Sequence, residues 1–80
     1  MTYVYLLESI PTPSKRYIGK TADLKLRLAD HNAGRSVYTA ADRPWRLISY
    51  HAFTKEIQAT KFEDYLKSGS GRAFASKRLR

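Results

Sequence analysis

The side chains of this chain best suited to chemistry are Tyr5, Tyr17, Arg27, His31 and Glu63. An arginine stabilises negative charge on phosphoryl oxygens, and tyrosine and histidine can move protons. A glutamate can hold a divalent metal ion through its carboxylate oxygens. Together these residue types point to hydrolysis of a phosphodiester at a metal-dependent nuclease site.

Arg27 and His31 are expected on one helix, where residues four apart are neighbours. Leu24 and Leu28 fall within about 40° of each other on that helix and form its apolar stripe. The two cationic residues flank this stripe, which places them near the rim of a sheet. They also fit surface residues whose stems cover the core, and both interpretations stay open.

Glu63 borders the apolar stripe that Ala59, Phe62 and Leu66 form on a second predicted helix. A carboxylate in that position can be partly buried while it faces a cleft. Lys67 follows four residues later, the favourable order for a helical salt bridge worth a few tenths of a kcal/mol. Glu63 therefore suits either a metal ligand or an ordinary surface ion pair.

Tyr5 and Tyr17 stand out among the six tyrosines because they lie on two strands that we expect to pair. Two hydroxyls can then meet at one point. Gly19 lets a phosphate or another backbone approach closely. Lys20, at the strand end, is placed to reach a phosphate or simply to be solvated.

The elements that must position these residues follow the order β-β-α-β-α-α. We predict strands over residues 3–7, 16–20 and 45–53. Helices are predicted over residues 22–33, 55–67 and 72–79. The expected fold class is α/β (α+β), a small, mostly antiparallel three-stranded sheet flanked by helices, in a single domain spanning residues 1–80.

Turn and cap residues set the predicted boundaries. Thr21 and Thr54 are expected to cap the first two helices, Gly34 to end the first, and residues 68–71 to form a break. Alternation along the third strand predicts two faces. One holds Ile48, Tyr50 and Ala52, and the other Leu47, Ser49, His51 and Phe53.

The charge balance favours a nucleic-acid partner. The chain has 15 basic and 7 acidic residues, a net charge of +8, and no cysteine. A compact basic domain most often binds a polyanion. Without cysteines, thiolate metal sites and disulfides are excluded. Apolar runs are too short to cross a membrane and no basic-then-apolar leader opens the chain, so we expect no membrane partner and a cytoplasmic protein.

The chain resembles the GIY-YIG nuclease domain, which occurs in homing endonucleases, in the excinuclease C subunit of nucleotide-excision repair and in structure-specific nucleases. The resemblance runs from Thr2 to about Leu79. It rests, in chain order, on Tyr3-Val4-Tyr5, Tyr17-Ile18-Gly19, Lys20, Arg27, His31 and Glu63. The sequence of residues 67–75 resembles that of the small stand-alone members of the family. Tyr3 stands where the family has glycine, and Val4 where it has isoleucine.

The resemblance implies a catalytic set of Tyr5, Tyr17, Arg27, His31 and Glu63. Glu63 would hold the divalent ion, Mg²⁺ or Mn²⁺, and either tyrosine would help to deprotonate the attacking water. Nearby Lys20, Arg27 and the metal are expected to lower the pKa of that tyrosine. Residues expected to contact nucleic acid are Lys20, Arg43, Arg46, Arg72 and Lys77.

The resulting expectation is an endonuclease acting on DNA, with RNA as the alternative substrate, in repair or recombination. Family nucleases commonly take targeting from an appended module. Specificity is therefore expected to be weak, to depend on nucleic-acid structure, or to come from a protein partner or a homodimer. The alternative is a non-catalytic nucleic-acid-binding module, supported by the net charge and by the basic tail of Lys77, Arg78 and Arg80. A small protein-interaction domain is a third interpretation.

Overall fold

A three-stranded antiparallel sheet forms the centre of the protein, as a computed structural model that describes residues 1–79 shows. Strands β1 (Thr2–Ser9), β2 (Arg16–Thr21) and β3 (Trp45–Phe53) are arranged in the order β2-β1-β3. The apolar run of β1 is buried on both faces, which explains why this strand is central. The predicted α+β fold class is confirmed.

Helices cover both faces of the sheet. Helix α1 (Leu24–Asn32) packs on the face that carries Tyr5 and Leu7. Helices α2 (Glu56–Lys67) and α3 (Gly69–Arg78) pack on the opposite face. The two cores are therefore separated by the sheet, and each burial pattern follows the alternation of β1.

Two predicted helix caps are wrong. Asp23, not Thr21, caps α1, because its carboxylate accepts a hydrogen bond from the Leu26 amide at 3.0 Å. Thr21 instead accepts from the Asp23 amide at 3.1 Å. Helix α2 begins after Lys55, which makes no side-chain cap bond, and Thr54 precedes it. Gly34 does follow the end of α1, in the left-handed conformation with a φ of 79° that glycine favours.

The break expected at residues 68–71 is shorter than predicted. Helix α3 begins at Gly69 and not at Arg72, because the Ser68 hydroxyl caps it by accepting from the Gly71 amide at 3.1 Å. Two consecutive helices therefore meet at Ser68 alone. Of the basic tail, Lys77 and Arg78 lie in the last turn of α3, and Arg80 lies outside the described residues.

A β-bulge in β3 reverses the predicted faces of Leu47 and Ile48, whereas the alternation predicted from Ser49 to Phe53 is confirmed. Leu6 pairs with Ser49 and Leu7 with Leu47, so Ile48 is an extra residue. Ile48 consequently packs in the α2–α3 core with Phe53, and Leu47 packs in the core beneath α1. The bulge keeps Tyr50 opposite Tyr5.

An ion pair joins the three strands at the end of β1. The Glu8 side chain is 3% exposed and lies opposite Arg16 on β2 and Arg46 on β3. Arg46 bonds to Glu8 at 2.5 Å, and Arg16 approaches the same carboxylate at 3.9 Å. A buried carboxylate needs such partners, so Arg46 has a structural partner that the sequence did not predict.

Candidate active site

The phenol of Tyr5 lies over Gly19, on the face of the sheet that carries α1. Tyr5 and Gly19 are paired across β1 and β2, and a Cβ placed on Gly19 would collide with the Tyr5 hydroxyl. It would also lie 2.9 Å from the Tyr17 ring. Gly19 is thus required because a side chain there would collide with the two packed tyrosines. The sequence suggested a different reason, the close approach of a phosphate.

His31 lies beneath this pair and is fully buried. Its Nε2 is 2.9 Å from the Tyr5 hydroxyl, and its ring centroid is 4.9 Å from that of Tyr17. Tyr5 is 1% exposed. The two tyrosines and the histidine, from β1, β2 and α1, therefore form one compact group, as their spacing predicts.

Arg27 lies one helical turn before His31 and interacts with both tyrosine hydroxyls. The pKa of Arg27 is raised, chiefly by its side-chain interaction with Tyr5 and also by Tyr17. The Arg27 guanidinium therefore stays positively charged next to the two tyrosines. The alternative of a solvated surface face is wrong for His31, which is 0% exposed.

Burial raises the pKa of the Tyr5 hydroxyl, and the nearby Arg27 only partly opposes that effect. Arg27 does lower the pKa of Tyr5, as expected from the sequence, but burial outweighs it and the net shift is upward. Burial also lowers the pKa of His31, and the charge of Arg27 lowers it further, with Asp30 acting in the opposite direction. At neutral pH this pair is a protonated phenol next to a neutral imidazole.

Glu63 lies on α2. Its side chain is 16% exposed, and its Oε2 is 3.2 Å from the Lys67 ammonium, so the predicted helical salt bridge is present. Its negative charge is also one of the smaller contributions to the raised pKa of Tyr5. Glu63 is thus partly buried and forms a local ion pair.

The donor set suits a metal ion that remains largely hydrated. Within residues 1–79, no group of three or more histidine, aspartate or glutamate side chains is placed to hold a metal. Glu63 is a lone carboxylate whose cationic neighbour can be displaced. Mg²⁺ commonly takes one or two carboxylates, several waters and substrate phosphate oxygens, so the residues present fit such an ion.

A cavity of about 570 Å³ lies between β2 and α3. Its lining includes Tyr17 and also Lys67, the ion-pair partner of Glu63. Arg16 and Arg72 add two positive charges, and Leu6, Ile18 and Ala75 add an apolar surface. Of the residues predicted to bind nucleic acid, Arg72 is the one that lines this cavity.

The other four predicted contacts lie apart from it. Lys20 donates to the Thr60 hydroxyl at 2.8 Å, one turn before Glu63. Arg43 donates to the Ala40 carbonyl at 2.7 Å, and Arg46 bonds to Glu8. Lys77 is exposed near the end of α3. These cations are dispersed around the domain.

Thr39 is a site residue that the sequence did not reveal. It is 1% exposed, and its hydroxyl lies 2.7 Å from Nδ1 of His31. Trp45 donates from its indole nitrogen to the Thr39 carbonyl at 2.8 Å. The segment around Thr39 has no periodic pattern, so only its proximity in the fold places it beside His31.

No helix of the described part, residues 1–79, has the length and apolar character needed to cross a membrane.

Comparison with known proteins identifies a family that the chain matches. The family model described as the GIY-YIG catalytic domain matches residues 1–77. The chain is 42% identical over 71 residues to the structure-specific endonuclease subunit SLX1 of Candida dubliniensis, covering 80% of this chain and 25% of that protein. A second SLX1 subunit, from Scheffersomyces stipitis, is 45% identical over 67 residues, covering 75% of this chain and 20% of that protein.

Two smaller bacterial proteins are also similar. The UPF0213 protein of Streptococcus pneumoniae is 39% identical over 66 residues, covering 81% of this chain and 65% of that protein. The UPF0213 protein SpyM3_1077 of Streptococcus pyogenes is 38% identical over 72 residues, covering 89% of this chain and 76% of that protein. The chain thus spans about a quarter of the SLX1 subunits and most of the bacterial proteins.

Proposed function

This chain belongs to the GIY-YIG catalytic domain family, and from that premise we propose that it is a metal-dependent endonuclease that hydrolyses phosphodiester bonds in DNA. The observation that carries the proposal is the buried hydrogen bond between Tyr5 and His31, with Arg27 beside it. A fully buried neutral imidazole bonded to a phenol is suited to accept a proton. RNA is the alternative substrate.

We infer that Tyr5 takes the proton of the attacking water while its own proton passes to Nε2 of His31. The water oxygen then forms a bond to phosphorus, and the bond to the leaving oxygen breaks. The leaving oxygen takes a proton from solvent, and His31 later returns its proton by the reverse path. The products are a phosphomonoester and an alcohol, so the net consumption is one water.

Arg27 is placed to stabilise negative charge that develops on the phosphoryl oxygens. Glu63 would hold the divalent ion, Mg²⁺ or Mn²⁺, which supplies charge stabilisation for the leaving oxygen when bound. Tyr17 packs against both Tyr5 and His31 and would orient the attacking water. Each member of the site thus has a separate role in one hydrolytic step.

A cleavage assay at low salt tests this function directly. Supercoiled plasmid, branched DNA, single-stranded DNA and single-stranded RNA are incubated with Mg²⁺, Mn²⁺ or EDTA. Arg27→Ala is expected to lower kcat about 10²- to 10³-fold, the range seen when one charge-stabilising donor is removed. Arg27→Lys keeps the charge without the planar fork and is expected to recover only part of that loss.

Arg35→Ala is the matched control, because Arg35 is exposed, has the same charge and is not assigned to the reacting phosphate. Its kcat is expected to stay at the wild-type value. Salt-sensitive binding without cleavage under either ion would instead indicate a non-catalytic binding module. Equal losses in Arg27→Ala and Arg35→Ala would refute the assigned role of Arg27.

We propose that the cavity between β2 and α3 takes nucleotides that flank the scissile phosphate. Its cations suit phosphate oxygens, and its apolar residues suit a sugar or base. The dispersed Lys20, Arg43, Arg46 and Lys77 would add long-range attraction for a polyanion. Because the SLX1 relatives are named as subunits, we also propose that a protein partner, or a second copy of the chain, supplies specificity for substrate structure in repair or recombination.

Arg72→Ala is expected to weaken DNA binding uniformly across sequences and to reduce the slope of log K against log salt by about one. Its kcat at saturating DNA should change little, because Arg72 is not assigned to the reacting phosphate. Fluorescence anisotropy over a salt series measures both quantities. Arg78→Ala removes the same charge from α3 at a residue that does not line the cavity, and an equal effect there would argue against the cavity.

A further inference from the structure

Three hydrogen-bonding groups form a continuous buried chain behind the candidate base. The Tyr5 hydroxyl bonds to Nε2 of His31 at 2.9 Å, and Nδ1 of His31 bonds to the Thr39 hydroxyl at 2.7 Å. The Thr39 hydroxyl in turn lies 3.5 Å from the Ser36 carbonyl oxygen. All three side chains are buried and bonded in sequence, so the direction of each bond depends on the others.

The Tyr5 end of the chain fixes one direction. A phenol has one proton, and Arg27 can only donate to it. Within residues 1–79, the acceptor that hydrogen-bonds to the Tyr5 hydroxyl is Nε2 of His31. The proton of Tyr5 therefore points to Nε2, which must carry a lone pair and no hydrogen.

The Thr39 end is consistent with this direction. With Nε2 bare, the hydrogen of the neutral imidazole is on Nδ1, 2.7 Å from the Thr39 hydroxyl, which therefore accepts it. The proton of Thr39 is left to point towards the Ser36 carbonyl oxygen, which lies 3.5 Å away and already accepts from the amides of Thr39 and Ala40.

The backbone around Thr39 is held independently of His31. Trp45 donates its indole N–H to the Thr39 carbonyl at 2.8 Å, and Trp45 itself is 4% exposed. The Trp45 amide donates to the Asn32 side chain at 2.6 Å, which ties the loop to the residue after His31. The backbone of Thr39 is therefore held in place, with its hydroxyl next to Nδ1 of His31.

We propose that Thr39 is a positioning residue that selects the Nδ1–H tautomer of His31 and so keeps Nε2 ready to take the proton of Tyr5. The inference rests on the proposed nuclease function for its kinetic part. The proton released by water reaches the Tyr5 oxygen, the Tyr5 proton moves to Nε2, and Nδ1–H continues to donate to Thr39. With the other tautomer, Nε2 would already carry a hydrogen and the transfer would stop.

The first test is the ¹⁵N spectrum of the imidazole in the free protein at neutral pH, which distinguishes protonated from unprotonated ring nitrogens. The wild-type protein is expected to show His31 protonated at Nδ1 and bare at Nε2. Thr39→Val keeps the side-chain shape but removes the acceptor, so the tautomer is expected to shift toward Nε2–H. Thr39→Ser restores a hydroxyl and should restore the wild-type spectrum.

The kinetic test uses the same variants on the substrate cut by the wild-type protein. Thr39→Val is expected to lower kcat about ten- to a hundredfold, within the contribution of one proton-transfer group, with KM unchanged. Thr39→Ser is expected to recover most of it, a rescue that a packing role for the threonine methyl would not give. Circular dichroism confirms that each variant is folded.

An Nε2–H tautomer in the wild-type protein would overturn the proposal, as would a Thr39→Val protein with an unchanged spectrum. The spectrum does not depend on catalysis. A protein that shows the expected tautomer but cuts no nucleic acid therefore refutes the nuclease proposal and leaves the positioning of His31 established.

Discussion

Glu63→Gln is expected to abolish metal-dependent cleavage, with kcat reduced about a thousandfold or more. The amide keeps the size of the side chain but loses the negative charge of the carboxylate that is proposed to hold the metal. Stabilisation of the leaving oxygen by the metal is worth several kcal/mol, and each 1.36 kcal/mol corresponds to a tenfold change in rate. Cleavage rates over a series of Mg²⁺ and Mn²⁺ concentrations measure the loss.

Metal binding gives a readout that does not depend on turnover. Isothermal titration with Mn²⁺ in the presence of DNA is expected to show binding to the wild-type protein and none to Glu63→Gln. Asp64→Asn is the matched control, because Asp64 is exposed on the same helix and loses the same charge. Its metal affinity and kcat are expected to match those of the wild-type protein.

The folded state should tolerate the Glu63 substitution. The Glu63–Lys67 pair is an i,i+4 pair in which the lysine side chain is 54% exposed, so its loss removes only a few tenths of a kcal/mol. A thermal melt within a few degrees of the wild type would confirm this. A Glu63→Gln protein that keeps wild-type cleavage in Mg²⁺ would show that Glu63 is not the metal ligand.

The catalytic group could be predicted from the sequence because its members lie on regular elements. The period of two along β1 and β2 brings Tyr5 and Tyr17 to one face, and the helical period brings Arg27 and His31 to one side of α1. Those periods are local and hold without knowledge of the tertiary fold. The structure places these four side chains together as the periods indicate.

The parts that could not be predicted depend on events that break a period. A single bulge at Ile48 exchanges the faces of Leu47 and Ile48, and nothing in the sequence of β3 marks it. Asp23, and not Thr21, caps α1 because its carboxylate, one residue before the first turn, reaches the Leu26 amide. Element boundaries shift by a few residues when neighbouring polar side chains compete for the same cap.

Thr39 and Glu8 show a second limit of sequence reasoning. Both are polar residues whose importance comes from burial, and burial is decided by segments distant in the chain. Thr39 contacts His31 at a separation of eight positions in the chain, and Glu8 contacts Arg46 at a separation of 38. The charge of Arg46 suggested nucleic-acid binding because its buried partner could not be known from composition.

Tyr5→Phe is expected to lower kcat about 10²- to 10⁴-fold, the usual contribution of a group that transfers a proton in the rate-limiting step. The substitution removes only the hydroxyl that bonds to His31. Tyr17→Phe removes a hydroxyl from the same cluster and is expected to cost less, because the hydrogen bond to His31 belongs to Tyr5. Single-turnover cleavage with saturating protein compares the two variants without the effect of product release.

The pH dependence follows from the state of His31. Neutral His31 is needed to accept a proton, and burial and Arg27 lower its pKa from the ordinary value of 6.5. The charged groups that set this pKa are Arg27, which lowers it, and Asp30, which acts in the opposite direction. The rate is therefore expected to be constant through neutral pH and to fall only as the pH drops through that lowered pKa.

In Tyr5→Phe the acidic fall should disappear together with the rate, because the proton no longer travels through His31. The buried Nε2 also loses its donor, which costs about 1–3 kcal/mol of folding stability and is visible as a lower melting temperature. Folding and catalysis are separated by the comparison with Tyr17→Phe at temperatures where both variants are fully folded. If Tyr17→Phe loses more activity than Tyr5→Phe and alone loses the acidic limb, Tyr17 is the base and the path through His31 is wrong.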